Sequence, residues 1–525
     1  MALKLKKKKI FFLLSVIKVN FIFTINYYYF VLVMGVAFFF KHFKTLFPEA
    51  LLSNGTDDHD ILVLELNGIL YKNIKQFYCD KLVKDPTFDN IELFELICDD
   101  IYNSIKKYPP KHSVFLAMDG YASMMKYQEQ LNRRYKNMIS NIYDNLFDLN
   151  QLTPGTQFMC FCSKYIDWFI RKKMNEDEIF RTITIYFSNE KHRGEGEYKA
   201  LRFLQRTENL NKKVLILSKD ADWINLSLLL PNQHIVISRD NETFISISTF
   251  KEKLTKFNFD HKTPKSFFID IYLIFLLLGN DYLNTFQFFH NLEEVYSSFL
   301  PVYKECRLRF VDEKNNININ NLLLFMKYCC SSDSVSNHVD VVLSSHKKQK
   351  VEDFFYLLQN IVLMNTNHTF DWNFMYSFTK TPTFDEIKNY IRLYNIPVIK
   401  KIEKKKPSKE ECLYRLFILL PYRSRYLLPQ ALEKFPRHNY PTNLSYDLIN
   451  RKFCFSDYEK SLHEFDRFYI ENKAHFKKEE KKRNTEGKLF EYKFHKERNT
   501  FLKSYYGNLK KNSVVMKRIT ESNLV

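Results

Sequence analysis

The chain has 525 residues, 45% hydrophobic and 26% charged, which is enough to bury a core and allows two or three domains. Only 10 Gly and 15 Pro exclude collagen-like and Gly/Pro-rich disordered classes, while a net charge of +19 favours a polyanionic partner, either nucleic acid or an acidic membrane surface. Nine cysteines, an odd number without C-x-x-C or zinc-finger spacing, predict reduced thiols, no structural zinc and an intracellular setting.

In chain order, Lys6–Lys9 followed by Ile10–Phe40 has the form of a signal anchor, although Lys18, Asn20 and Asn26 interrupt the apolar stretch. Strand and helix signals then alternate between residues 60 and 290. The short apolar runs 61–65, 113–118, 157–161, 182–187, 213–217 and 234–238 read as buried strands, and 124–145 and 197–206 as helices. This alternation predicts an α/β fold with a mostly parallel sheet and helices on both faces. From about 290 onward the pattern is mainly helical, with Leu-rich segments at 321–328, 353–364 and 412–420. Lys400–Pro407 reads as an exposed basic loop, and Lys477–Val525, with 14 Lys or Arg against 6 acids, as a basic tail.

The acids fall where the apolar runs end. Glu65 lies late in the first strand, Asp119 follows the second, and Asp220 and Asp222 follow Leu217. Glu195 and Glu197 open a helix, and Asp281 follows an apolar helix with Gly279 as its cap. Any one of these reads equally well as a helix cap or a solvated turn. In a doubly wound sheet, however, strand carboxyl ends share one crevice. Seven carboxylates brought there would repel one another unless cations neutralised them, and hard oxygen donors suit Mg²⁺ or Mn²⁺. After Asp119, the residues Lys126, Gln130, Arg133 and Arg134 stand at i, i+4, i+7 and i+8 of a predicted helix. Three cations and an amide on one stripe would make a phosphate pocket, or an ordinary solvated face.

Together these motifs resemble the Xrn family of 5′→3′ exoribonucleases, relatives of the flap endonucleases with a PIN/FEN-like core. Met34-Gly35-Val36 through Phe40 is similar to the family's M-G-V-P-x-F-F, and Asp119-Gly120 through Arg134 keeps its D-G to K-x-x-x-Q-x-x-R-R spacing. Leu152 to Met159 resembles I-T-P-G-T-P-F-M, Gly194 to Lys199 resembles G-E-G-E-H-K, and Lys219-Asp220-Ala221-Asp222 and Leu278 to Leu283 complete the set. The likeness continues more weakly through Asp371–Asp385, the paired L-P segment at 419–429, Tyr440–Phe453 and Glu479–Gly487.

The resemblance implies a nuclease domain over 34–290, a helical second domain over 291–490 and a basic tail over 491–525. Residues 1–33 would then be a non-functional extension or a signal-anchor-like segment. It implies two Mg²⁺ ions, with Mn²⁺ as an alternative, held by Glu65, Asp119, Glu195, Glu197, Asp220, Asp222 and Asp281. Lys126, Gln130, Arg133 and Arg134 would hold the 5′-monophosphate of a single-stranded RNA, with Tyr71 and Trp372 stacking on its bases. The implied activity is stepwise release of nucleoside 5′-monophosphates in mRNA decay, by a cytoplasmic or nuclear monomer working with decapping machinery and without a membrane. Two departures stand out. Glu65 replaces the Asp of the family's D-M-N, lengthening the arm by about 1.5 Å, and Tyr71 replaces a stacking His. A flap-type DNA nuclease and an attenuated, non-enzymatic RNA-binding relative are the alternatives.

Overall fold

The computed structural model describes residues 39–53, 58–81, 90–134, 147–231, 234–239, 242–260, 264–287, 289–329, 343–378, 380–399, 402, 411–434, 458–483 and 487–519. The signal-anchor-like stretch up to residue 38, the Met34-Gly35-Val36 motif, the Tyr440–Phe453 motif and all but residue 402 of the basic loop at 400–407 lie outside them. Among the described residues no helix is long and apolar enough to cross a membrane.

The strands are β1 (Leu51–Leu52), β2 (Ile61–Glu65), β3 (Ser113–Ala117), β4 (Thr184–Ser188), β5 (Val214–Leu217), β6 (Ile235–Ser238), β7 (Phe244–Ser246), β8 (Leu489–Phe494), β9 (Thr500–Leu502), β10 (Leu509–Asn512) and β11 (Val514–Ile519). The main sheet has the order β1-β7-β6-β5-β2-β3-β4-β8-β11, parallel from β6 to β4 and antiparallel at both edges. The mostly parallel α/β fold expected from the alternation is therefore what forms.

Among the helices are α1 (Phe39–Leu46), α2 (Leu66–Lys81), α3 (Ile91–Lys107), α4 (Gln157–Glu176), α5 (Gly196–Leu204), α6 (Lys265–Leu276), α7 (Ile319–Cys329), α8 (Ser345–Thr366), α9 (Phe384–Tyr394), α10 (Glu411–Leu419) and α11 (Tyr458–Glu471). Side chains alternate across a strand, so a strand buried on both faces must be apolar throughout. Ile61 and Val63 join one core with α1, α5 and α6, while Leu62 and Leu64 join another with α2, α3 and α4. The helical part from α7 to α9 continues the first of these cores. Leu413 to Leu419 of α10 and Phe465 of α11 instead pack on Met124, Tyr127 and Leu131, and so roof the segment that leaves β3.

Three local expectations are corrected. The run 157–161 is the first turn of α4, not a strand. The Thr156 hydroxyl caps it by accepting from the Met159 N–H at 3.4 Å, and its buried positions recur at helical spacing to Met174. The helix expected over 124–145 begins with a 3₁₀ turn at Met124–Lys126 and is α-helical over 127–134. The basic tail over 491–525 carries strands instead: β8 pairs with β4, β11 closes the sheet edge, and β9 pairs with β10. Its charge count hid buried positions on both faces: Leu489 joins one core, Tyr492 and Val514 join the other, and Lys493 and Lys517 stay exposed.

The loop that carries Asp119 is zipped to the loop after β4. Gly120 N–H donates to the Gly194 carbonyl at 2.9 Å, and Gly194 N–H to the Tyr121 carbonyl at 2.7 Å. A Cβ on Gly120 would lie 1.9 Å from the His192 carbonyl oxygen, so only glycine permits the approach. Gly487, just before β8, bonds the Lys191 carbonyl at 2.8 Å and braces the same loop from outside. Gly120→Ala is expected to push the two loops apart and lower stability by about 1–3 kcal/mol in urea unfolding; an unchanged midpoint would contradict the packing described.

Candidate metal centre and anion pocket

Each acid reaches the site from the carboxyl end of a strand or from a helix start beside one. Glu65 ends β2, which pairs with β3 and β5, so Asp119 and Asp220 arrive on either side of it. Glu195 and Glu197 flank the first residue of α5, whose Gly196 N–H donates to Asp119 Oδ1 at 2.8 Å. Asp220 Oδ1 accepts the Asp222 N–H at 2.8 Å, and Asp281 comes in behind α6 after the left-handed Gly279. One cleft of 460 Å³ is lined by Glu65, Asp220, Asp222 and Asp281. Glu65, Glu197 and Asp220 bring one oxygen each within 4.8 Å of one another, a donor set that fits a hard divalent cation.

The electrostatics follow from that crowding. Burial, with Asp220 beside it, raises Glu65 to about 8, and burial raises Glu195 to about 7. Glu197 and Asp222 are pushed well above the usual carboxylate range for the same reason. Burial would raise Asp281 too, but Lys126 and Arg133 outweigh it and hold the group down.

Lys126 sits elsewhere than the helical spacing suggested. It ends the 3₁₀ turn, outside the helical stripe that begins at residue 127, and its ammonium enters the acid cluster. There it pairs with Glu195, with Asp281 at 2.8 Å and with Glu197 at 3.7 Å. Burial opposes its charge, yet the three carboxylates together hold it well above the ordinary lysine range. Arg133 is divided between the two regions: it forks onto Glu129 Oε1 at 2.9 and 2.7 Å and lies 4.0 Å from Asp281.

Arg134 is the exception. Only 5% exposed, it keeps a buried Nε with no hydrogen-bond partner among the described residues, and burial lowers its affinity for its proton. A buried guanidinium without a counter-ion is costly unless an anion completes it. Gln130 is buried on the same helix, and Tyr71 lies close enough to act on the charges of Arg133 and Arg134. Trp372 lies in the other of the two cores from the one Tyr71 packs against. It is 7% exposed, its ring is 4.9 Å from Phe370, and its carbonyl accepts from Met124 N–H, so it leaves little ring face for a base.

Four contributors escaped the motif reading. The Ser218 hydroxyl donates to Glu65 and accepts the Asp220 N–H at 3.0 Å, bridging two acids. Tyr282 O–H donates to Glu195 Oε2 at 2.8 Å, and Asn67 Oδ1 accepts the Asp119 N–H at 3.2 Å. Lys199 donates to the carbonyls of Met118 and Asn189 at 2.7 and 2.8 Å, and burial pushes its ammonium down to about 7. Each is next or nearly next in sequence to a candidate ligand, and Lys199 and Tyr282 also lie within the Gly194–Lys199 and Leu278–Leu283 motifs.

Residues 34–241 match the family described as "XRN 5′-3′ exonuclease N-terminus". The chain is similar to 5′-3′ exoribonuclease 1 of Saccharomyces cerevisiae, 28% identical over 381 residues, which covers 63% of this chain and 24% of that protein. It is also similar to 5′-3′ exoribonuclease 1 of Schizosaccharomyces pombe, 25% identical over 346 residues (56% of this chain, 26% of that protein). The human 5′-3′ exoribonuclease 1 is 23% identical over 350 residues, 54% of this chain and 20% of that protein. The chain thus spans about a quarter of the length of the relatives it matches. The family resemblance carried by the motifs is borne out by these matches.

Two outcomes test the electrostatics. Glu65 and Glu195, with folded values of about 8 and 7 against 4.5, make the folded chain bind more protons than the unfolded one across that interval. In EDTA, stability should therefore fall as pH rises from about 5 to about 8, read as melting temperature, and Mn²⁺ should flatten the slope. Lys126→Met strands buried carboxylates and is expected to cost about 3–5 kcal/mol in EDTA. A divalent cation should restore more stability to this variant than it adds to the unsubstituted chain.

Proposed function

We propose that this chain, a relative of the Xrn 5′-3′ exoribonucleases, is itself a Mg²⁺-dependent enzyme that degrades single-stranded RNA from a 5′-monophosphate. The observation that carries this reading is the buried Arg134, whose Nε has no hydrogen-bond partner among the described residues, standing beside seven converging carboxylates. An anion pocket set next to a divalent-cation centre is what end-dependent phosphodiester cleavage needs.

Glu65, Glu197 and Asp220 would hold one Mg²⁺ or Mn²⁺, and Asp119, Glu195, Asp222 and Asp281 would complete the site for a second. When bound, such ions neutralise the carboxylates and polarise the phosphodiester and the attacking water. The chain's own groups do the rest. Arg134 and Arg133, with Gln130, grip the terminal phosphate, and their short buried reach favours a monophosphate over a cap or triphosphate. Tyr71 offers a ring against the first base, a contact that tolerates any sequence. Lys126 keeps a positive charge among the acids, where the charge of the bridging phosphate must be accepted. Ser218 bridges the Glu65 carboxylate to the Asp220 backbone and so orients the longer arm of Glu65. Gripping the 5′ end one nucleotide from the reacting bond would make nucleoside 5′-monophosphates the product. Decapped mRNA in the cytoplasm, or the equivalent 5′-monophosphate RNA in the nucleus, is the matching substrate class.

A 5′-end-labelled RNA assay in Mg²⁺ with monophosphate, triphosphate and hydroxyl ends tests the reading. The monophosphate form should be degraded at least tenfold faster than the others. Arg134→Gln should remove most of that preference, a loss of about 10–100-fold for a charged hydrogen bond. Asp220→Ala should abolish decay while leaving RNA binding. A purified wild-type chain inert on 5′-monophosphate RNA in Mg²⁺ would falsify the proposal.

A further inference from the structure

The carboxyl edge of the sheet carries cations on both sides of its acids. Sheet order runs β6, β5, β2, β3. Arg134 belongs to the segment that leaves β3, and Lys219 and Arg239 follow β5 and β6 on the other side of Glu65. A second cleft of 210 Å³ opens on that far side, between the loops after β5 and β6 and the helices α2 and α3. It shares Glu65, Gly68, Lys219 and Arg239 with the acid cleft, so the two are continuous. Lys72, Asn103 and Lys107 supply its helical wall. Lys72 is paired with Asp100 at 2.8 Å, whereas Lys107 and Lys219 have no ion-pair partner among the described residues. The Arg239 guanidinium is steadied over the passage by the Lys219 carbonyl and by the Phe40 ring, 4.3 Å from its carbon.

Gly68 adds an independent observation. It is the third residue of α2, and glycine weakens a helix relative to alanine. Its backbone does not adopt the left-handed region, and a Cβ there would meet no atom within 4 Å. Neither packing nor backbone conformation requires glycine at this point. It forms a bare backbone saddle between the two clefts, open to something other than protein.

Resting on the exoribonuclease reading, we propose that the RNA downstream of the cleaved bond crosses Gly68 into this second cleft. Its phosphates are received there by Lys107, Lys219 and Arg239. The strand would then run from Arg134 over the acids to a second cationic landing, which keeps it engaged after each nucleotide leaves. Positive groups on both sides hold the strand against the repulsion of the acids between them.

Fluorescence anisotropy in Ca²⁺, with 5′-monophosphorylated RNAs of two and eight nucleotides, tests this. The wild type should bind the octamer at least tenfold more tightly than the dimer. Lys107→Gln combined with Lys219→Gln should lose most of that gain and weaken the octamer far more than the dimer. Its slope of log affinity against log salt for the octamer should be shallower by about 1.4, at about 0.7 per phosphate contact on a single strand. Gly68→Leu should lose the octamer gain with no fall in melting temperature. An octamer gain and salt slope unchanged in both variants, or no gain in the wild type, overturns the proposed path. Equal wild-type affinity for 5′-hydroxyl and 5′-monophosphate dimers instead overturns the end-dependent reading on which it rests.

Discussion

Mutual repulsion among buried carboxylates is the constraint around which this molecule is arranged. Seven acids converge at one sheet edge, and four of them are pushed above the normal carboxylate range by burial and by one another. The ammonium of Lys126 is the internal counter-charge, paired with three of the acids at once. Such a cluster stores affinity for divalent cations, because each added positive charge relieves repulsion that the fold has already imposed. The hydroxyls of Ser218 and Tyr282 and the amide of Asn67 then orient individual members of the set.

The scaffold bears that strain because its central strands are buried on both faces. Side chains of β2 alternate between two separate cores, so the strand ends are clamped from above and below. The helical half adds a roof over the segment after β3, and Arg415 reaches through it to the Ala122 carbonyl at 2.6 Å. Strand β8 and Gly487 buttress the loop behind Asp119 from the opposite edge. Sequence-distant parts therefore converge on one task, which is to hold the Asp119 loop and the start of α5 at fixed separation.

How much of this could be read in advance depended on whether the signal was local. The strands ending at Glu65, Ala117 and Leu217 were legible because continuous β-branched and Leu runs between turn signals have few other solutions. The run 157–161 misled because four apolar residues in a row, Phe158 to Phe161, fit either period, and only the continuation to Met174 decides for a helix. Residues 489–519 misled for the opposite reason. Their exposed lysines registered as charge, whereas pairing with β4 is a contact across about 300 positions. Ser218 was legible as a neighbour of Asp220 but not as the partner of Glu65, 153 positions away.

By itself, the sequence determined the inventory: the seven acids, the buried strands that end beside them, the arginine pair, and the family to which their spacing is similar. Covalent order and local periodicity are enough for that. Only the tertiary structure decided how the cations are shared out. A 3₁₀ turn at Met124–Lys126 sends Lys126 into the acids, a fork from Glu129 splits Arg133 between the two regions, and the buried Nε of Arg134 is left without a hydrogen-bond partner among the described residues. The physical reason is that charge pairing inside a protein is set by distance and by the absence of water, and neither is a property of spacing along a chain.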